Sequence, residues 1–138
     1  MAFLSSDTGQ LLFRDGVRLS ADMTEIQLAE MGVNLEDGNG CYLMGAHPVR
    51  GGTLAPVLTL EKGRLTAVTL HVAMIGIRQD ADTDRQRGFL FQTLGLKDPC
   101  PDTRSCVRIA YPFGEIFLCT DPYTGGSTAR VIYSENDD

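Results

Sequence analysis

Four cysteines and two histidines are the most reactive side chains of this 138-residue chain. Cys41, Cys100, Cys106 and Cys119 stand beside His47 and His71. A thiol and an imidazole together can do nucleophilic chemistry: the ring takes the proton and leaves a thiolate to attack. Cys41 with His47, or Cys119 with His71, are the pairs to weigh, because such partners meet in space rather than along the chain. No local signature singles out either pair. His71 lies in a run of apolar, strand-forming residues, where a histidine more often packs than reacts. His47 precedes Pro48 in a loop, the kind of segment where functional side chains concentrate. The sequence therefore assigns no catalytic residue, and a small cysteine/histidine-dependent hydrolase stands as the enzyme alternative.

Other chemistries fail on spacing. A zinc site needs tighter paired thiolate or imidazole ligands than these. Asp80-Ala81-Asp82-Thr83-Asp84 alternates oxygen donors but lacks the closing glutamate of a calcium loop. Gly38-Asn39-Gly40 and Gly51-Gly52 lack the strand–loop–helix setting and the lysine of a phosphate loop, and Gly125-Gly126-Ser127-Thr128 leads into a strand. No metal and no cofactor are expected.

The charge balance narrows the partner. A formal net charge of −6 argues against nucleic acid, which demands clustered Lys and Arg. It suits a basic protein partner, since opposite charge speeds encounter. Met1 to Asp7 carries no basic stretch followed by an apolar one, and no apolar run reaches bilayer length. The expected location is the cytoplasm, away from membranes, with the four cysteines as free thiols. Cys100 and Cys106, flanking Pro101 to Ser105, are spaced to close a small ring if ever oxidised.

What remains is surface. Tyr111-Pro112-Phe113-Gly114-Glu115 and Asp121-Pro122-Tyr123-Thr124-Gly125 hold aromatic residues beside prolines and glycines. Aromatics on rigid loops serve as anchors at protein interfaces. The candidate partner-binding residues are Glu36, Asp37, Tyr111, Phe113, Asp121 and Tyr123. The competing reading is that Phe113 and Tyr123 close the ends of the core.

The elements that must position these residues follow from local signals. Asp15-Gly16 turns a hairpin between Leu11–Leu12 and Arg18–Leu19. Thr24 caps a short helix, with Gln27 completing a capping box, Ile26, Leu28 and Met31 as its buried stripe, and Gly32 as its stop. Thr53 to Glu61 and Arg64 to Val72 form a hairpin through Glu61-Lys62-Gly63, and the second strand is apolar on both faces. Asp80, Asp82 and Asp84 supply caps for a second helix ending at Leu94 and Gly95. In it Phe89, Leu90, Thr93 and Leu94 face the sheet, Arg85, Gln86 and Gln92 face water, and Gly88 lets the helix lie close to a strand. Val107–Tyr111, Glu115–Thr120 and Thr128–Tyr133 are the last strands, the first pair turned at Phe113-Gly114. Connections this short make antiparallel pairs. The 43% hydrophobic content supports one packed core. The fold class is α+β: one domain over 1–138, made of two pseudo-repeats of a short helix plus antiparallel strands (about 10–77 and 78–134), with helices packed on one face of the sheet.

The repeated plan, Leu28 to Gly32 with strands to Val72 and Phe91 to Gly95 with strands to Tyr133, resembles the tandem helix-plus-sheet design of the β-lactamase-inhibitor protein family. Ala110 to Ile116 and Gly125 to Tyr133 are similar to segments of small acidic immunity proteins of bacterial polymorphic toxin systems. That resemblance implies an α+β, cytoplasmic protein without catalytic residues. No functional residue carries over from either family. The function expected is a non-catalytic protein-binding module, an immunity protein that occludes a basic toxin. The further alternative is a structural adaptor of a secretion or phage-like particle.

Overall fold

The computed structural model describes residues 3–30, 36–37, 41–49, 52–72, 83–96, 106–120 and 127–134, with backbone alone at 36, 37, 41 and 83–85. Its elements in chain order are β1 (Leu11–Leu12), β2 (Arg18–Leu19), α1 (Glu25–Glu30), β3 (Glu36–Asp37), β4 (Cys41–Leu43), β5 (His47–Val49), β6 (Gly52–Glu61), β7 (Arg64–Val72), α2 (Thr83–Leu94), β8 (Val107–Tyr111), β9 (Gly114–Thr120) and β10 (Ser127–Tyr133). β1 and β2 pair as a small separate hairpin, while the rest form one sheet in the order β3-β4-β6-β7-β10-β9-β8, with β5 also on β6. Every pairing among the described residues is antiparallel. The class is α+β, as the hairpin spacing implies.

In each half of the chain the strands of the large sheet follow the helix. The two sets of strands meet where β10 lies against β7, the last described strand of one set against the last of the other. The joint is covered by side chains of one face. Leu54 and Leu58 on β6, Val68 and Leu70 on β7, Ala129 and Val131 on β10, and Ile116 and Leu118 on β9 are all buried. Leu58, Val68, Val131 and Ile116 run opposite one another, as do Leu70, Ala129 and Leu118, and Leu54 lies four residues from Leu58 on β6, so they line a single surface of the sheet. α2 lies on this face with Leu90, Phe91 and Leu94 buried, and α1 contributes Leu28. Leu4, Leu11, Phe13 and Leu19 of the amino-terminal segment complete the core.

Local chemistry explains the ends. Thr24 N–H donates to Gln27 Oε1 at 3.0 Å and Gln27 N–H to Thr24 Oγ1 at 3.3 Å, the reciprocal capping box. Leu96 N–H reaches Phe91 C=O at 2.8 Å and Gly95 N–H reaches Gln92 C=O at 3.1 Å, a Schellman stop for α2. Lys62 and Gly63 both take positive φ (54° and 76°) between the paired Glu61 and Arg64. That is the two-residue turn whose twist matches the strands it joins. The amino-terminal turn is tied to the last strand by Tyr133 Oη, which donates to Gly9 C=O at 2.8 Å.

Several expectations are corrected. Ile26 is 71% exposed, so α1 buries Leu28 and not a stripe through Ile26. Gln86 is buried, because its Oε1 accepts the Ser127 N–H at 3.0 Å at the start of β10. Gly88 faces outward with nothing within 4 Å of an added Cβ. The close approach of α2 falls instead at Gly52, where a Cβ would meet the Phe89 ring at 2.8 Å. The β8–β9 turn is Pro112-Phe113, one residue earlier than read, since Tyr111 pairs with Gly114. Gly32 and Met31 lie outside the described residues.

Candidate functional site

The second face of the sheet carries the site. Following the register strand by strand, one row on this face runs Glu36, Leu43, Val57, Thr69, Arg130, Phe117, Arg108 across seven strands. A row on one side of it holds Thr59, Ala67, Ile132, Glu115 and Ala110. On the other side lie Ala55, His71, Thr128 and Cys119. Leu43 is 45% exposed, Arg130, His71 and Arg108 are exposed, and Val57, Phe117 and Ile132 are half-buried. The face thus mixes aliphatic groups, hydroxyls, an aromatic ring and guanidinium groups. Interface cores are enriched in aromatics and Arg in just this way.

A hollow of about 530 Å³ opens on this face, lined by Leu43, Met44, Gly45, Ala55, Pro56, Val57 and His71. Its origin is a proline. Pro56 has no N–H to give the ladder, and a sheet tolerates that at an edge or a bulge. Leu43 pairs with Val57 and His47 with Leu54, so four steps from the end of β4 to the start of β5 match three on β6. The extra residue falls beside Pro56, where Met44 N–H reaches Pro56 C=O at 3.2 Å and Gly45 turns to φ +77°. The bulge pulls the backbone aside and leaves the hollow. Desolvation by its walls lowers the pKa of His71 below the ordinary value.

The β8–β9 end is crosslinked. Cys106 and Cys119 form a disulfide with Cα atoms 4.3 Å apart, directly beyond the Val107–Leu118 pair. This overturns the expectation of free thiols at these two positions, and it leaves Cys106 bonded to Cys119 and not to Cys100. The cause is register: the strands bring Cys106 opposite Cys119, a pairing that sequence spacing does not display. It also removes Cys119 as a nucleophile. His71 and Cys119 flank Thr128 from either side, two strands apart. His47 Nδ1 lies 2.6 Å from Asp15 Oδ2, with Phe13 against its ring. Desolvation raises the Asp15 pKa, but the hydrogen bond and charge of His47 and the Val17 N–H outweigh it, so the carboxyl sits below 3.8. Among the described residues no group of three His, Cys, Asp or Glu side chains could hold a metal.

Of the residues singled out from sequence, those on β3 and those at the β8–β9 end do not come together. Glu36 and Asp37 lie on β3 and Tyr111 on β8, the two outermost strands of the order. Six strand spacings separate those strands, roughly 25–30 Å. Phe113 is buried, stacked on Tyr111 with ring centroids 5.0 Å apart and packed on Tyr133. Its ring closes the end of the core, so it is not an exposed anchor. Burial raises the Tyr111 pKa above its ordinary value. Asp121 and Tyr123 lie outside the described residues. Sequence reasoning missed Leu43, Val57, Phe117 and Arg130. The available signal was alternation: Thr128, Arg130 and Ile132 alternate with Ala129, Val131 and Tyr133, which are buried.

The fold and this face define an antiparallel α+β protein whose sheet is covered by helices on one side and offers mixed side chains on the other. No protein-family model and no curated protein matches the sequence. Among solved structures, the fold is similar to a chain of Rhs1-CT in complex with its cognate immunity protein RhsI1. The TM-score is 0.58 at 14% identity, covering 100% of this chain and 92% of that one. The likeness is one of fold.

Proposed function

We propose that this chain is a non-catalytic immunity protein of a bacterial toxin–immunity system, which works by covering a protein toxin. The observation that carries the reading is the full-length likeness to a chain of a toxin–immunity complex. The mixed sheet face supports it, because an apolar hollow beside Arg and Phe groups is the composition of a protein-binding surface. The immunity role is favoured over the toxin role by the fate of the candidate nucleophile, since Cys119 is tied to Cys106 and stands two strands from His71. Binding would be steric and electrostatic, with the −6 net charge speeding encounter with a basic partner. The place of action proposed is the cytoplasm. Oxidising compartments favour disulfides, so alkylating whole cells before lysis decides whether the Cys106–Cys119 bond is closed there.

The test is co-expression with the protein encoded beside this one. The expected result is rescue of growth and a stable 1:1 complex on gel filtration. Growth arrest caused by this chain alone would assign it the toxin role, and rescue without a complex would refute occlusion.

A further inference from the structure

Arg130 is an exposed guanidinium at the middle of the sheet, on a strand with neighbours on both sides. Thr69 stands opposite it on β7 and Phe117 on β9. The other guanidinium of the row is already satisfied: Arg108 Nε donates to Glu115 Oε2 at 2.5 Å, and Arg108 lies 5.8 Å from the Phe117 ring centre. Arg130 has no ion-pair partner among the described residues. These rows place two guanidinium groups and two acidic positions, Glu115 and Glu36; Glu115 is held by Arg108, and Glu36 stands on β3, four strand spacings from Arg130. The charge beside Arg130 is therefore positive in a chain whose net charge is −6.

From this we infer that the open face docks a protein segment carrying a carboxylate that pairs with Arg130, and an apolar side chain that fills the hollow at Leu43, Val57 and His71. The inference rests on the protein-binding reading and names the chemistry of the partner at its point of contact. Guanidinium and carboxylate match as a two-pronged pair. Three strand spacings separate Leu43 from Arg130, roughly 14 Å. An extended segment covers that distance in about four residues at ~3.3 Å each. The partner's apolar and acidic side chains thus stand at positions i and i+4 of an extended strand. A partner basic overall and acidic at this one point satisfies both the long-range field and the contact.

The probe is a blocked six-residue peptide with leucine and aspartate four positions apart, compared with the same peptide carrying lysine for aspartate. Chemical-shift titration of the isotope-labelled full chain is the readout. The aspartate peptide should move the Arg130 Nε–Hε signal and the amides of Leu43, Thr69 and Phe117, and bind at least tenfold more tightly than the lysine peptide. R130Q should erase that preference, while R108Q should change it less than about twofold, the margin of an exposed pair already neutralised. Equal binding of the two peptides, shifts elsewhere on the surface, or an R130Q chain that still prefers aspartate would overturn the inference. So would a thymidine oligonucleotide that moves the same signals more tightly, because the site would then read phosphate. Failure of co-expression rescue alongside a positive titration condemns the immunity reading and leaves this site standing. Rescue that survives when the titration is negative does the reverse.

Discussion

Opening the Cys106–Cys119 bond should lower the stability of the whole fold by an amount the chain separation sets. The two cysteines are 13 residues apart. Releasing a loop of that size returns about 3 kcal/mol of chain entropy to the unfolded state at 25 °C. Part of that gain is offset, because the loop spans the β8–β9 hairpin, whose ends stay close in a compact denatured ensemble, so about 1.5–3 kcal/mol is the expected loss. With a urea dependence of roughly 1.5–2 kcal/mol per molar, the midpoint should fall by about 1–2 M. The assay is urea unfolding followed by far-ultraviolet circular dichroism, with and without a phosphine reductant, on the natural chain and on a C106A/C119A variant. The reductant should shift the first and leave the second unmoved. Peptide mapping that links Cys106 to Cys100 would refute the pairing. An unchanged midpoint with both thiols shown free by mass spectrometry would refute the energetic argument.

Three further outcomes follow from other parts of the fold. Gly88→Ala should raise stability by about 0.5–1 kcal/mol, since the position is mid-helix and the added methyl meets open space, and a lower thermal midpoint would contradict the placement of α2. Gly114→Ala should lower stability by about 2–3 kcal/mol or prevent folding, because its Cβ would lie 2.0 Å from the Ile132 carbonyl oxygen, and a melting curve like that of the natural chain would show the β9–β10 contact to be wrong. The depressed Asp15 carboxyl is stabilising in its charged form, so its contribution is present above pH 3.8 and drains away as pH falls through the lower folded-state value. Asp15→Asn should flatten the acid side of the stability profile in that window and nowhere else, as measured by urea midpoints from pH 2 to 6.

Much of the fold was legible because it depends on neighbours in sequence. Thr24 with Gln27, Lys62-Gly63 and Gly95 each specify a local geometry whatever surrounds them, and all three appear as read. The hairpin connections likewise dictated antiparallel pairing. What escaped was set by distant partners. Nothing local shows that β10 enters between β7 and β9, and without that insertion the Cys106–Cys119 pairing and the Arg130 row are invisible. Gln86 looked like a solvent residue because its type is polar, and only the leftover Ser127 N–H explains its burial. Phe113 and Arg130 were misjudged for complementary reasons. An aromatic beside proline suggested an anchor, although its ring sits against Gly9 and Tyr133. An arginine in an apolar strand suggested nothing, although alternation turns it outward.

The position of β10 has a cost in time. It leaves the ribosome after every other strand described, yet it occupies the seam between the two sets. Until it arrives, β7 and β9 each present a bare row of amide and carbonyl groups, the kind of border that invites stray pairing with other chains. At roughly 5–20 residues per second, the stretch between Val72 and Ser127 keeps β7 waiting for several seconds during synthesis. A nascent copy is therefore most prone to clump just before β10 emerges, and any truncation ahead of Ser127 would leave two half-sheets with nothing to unite them.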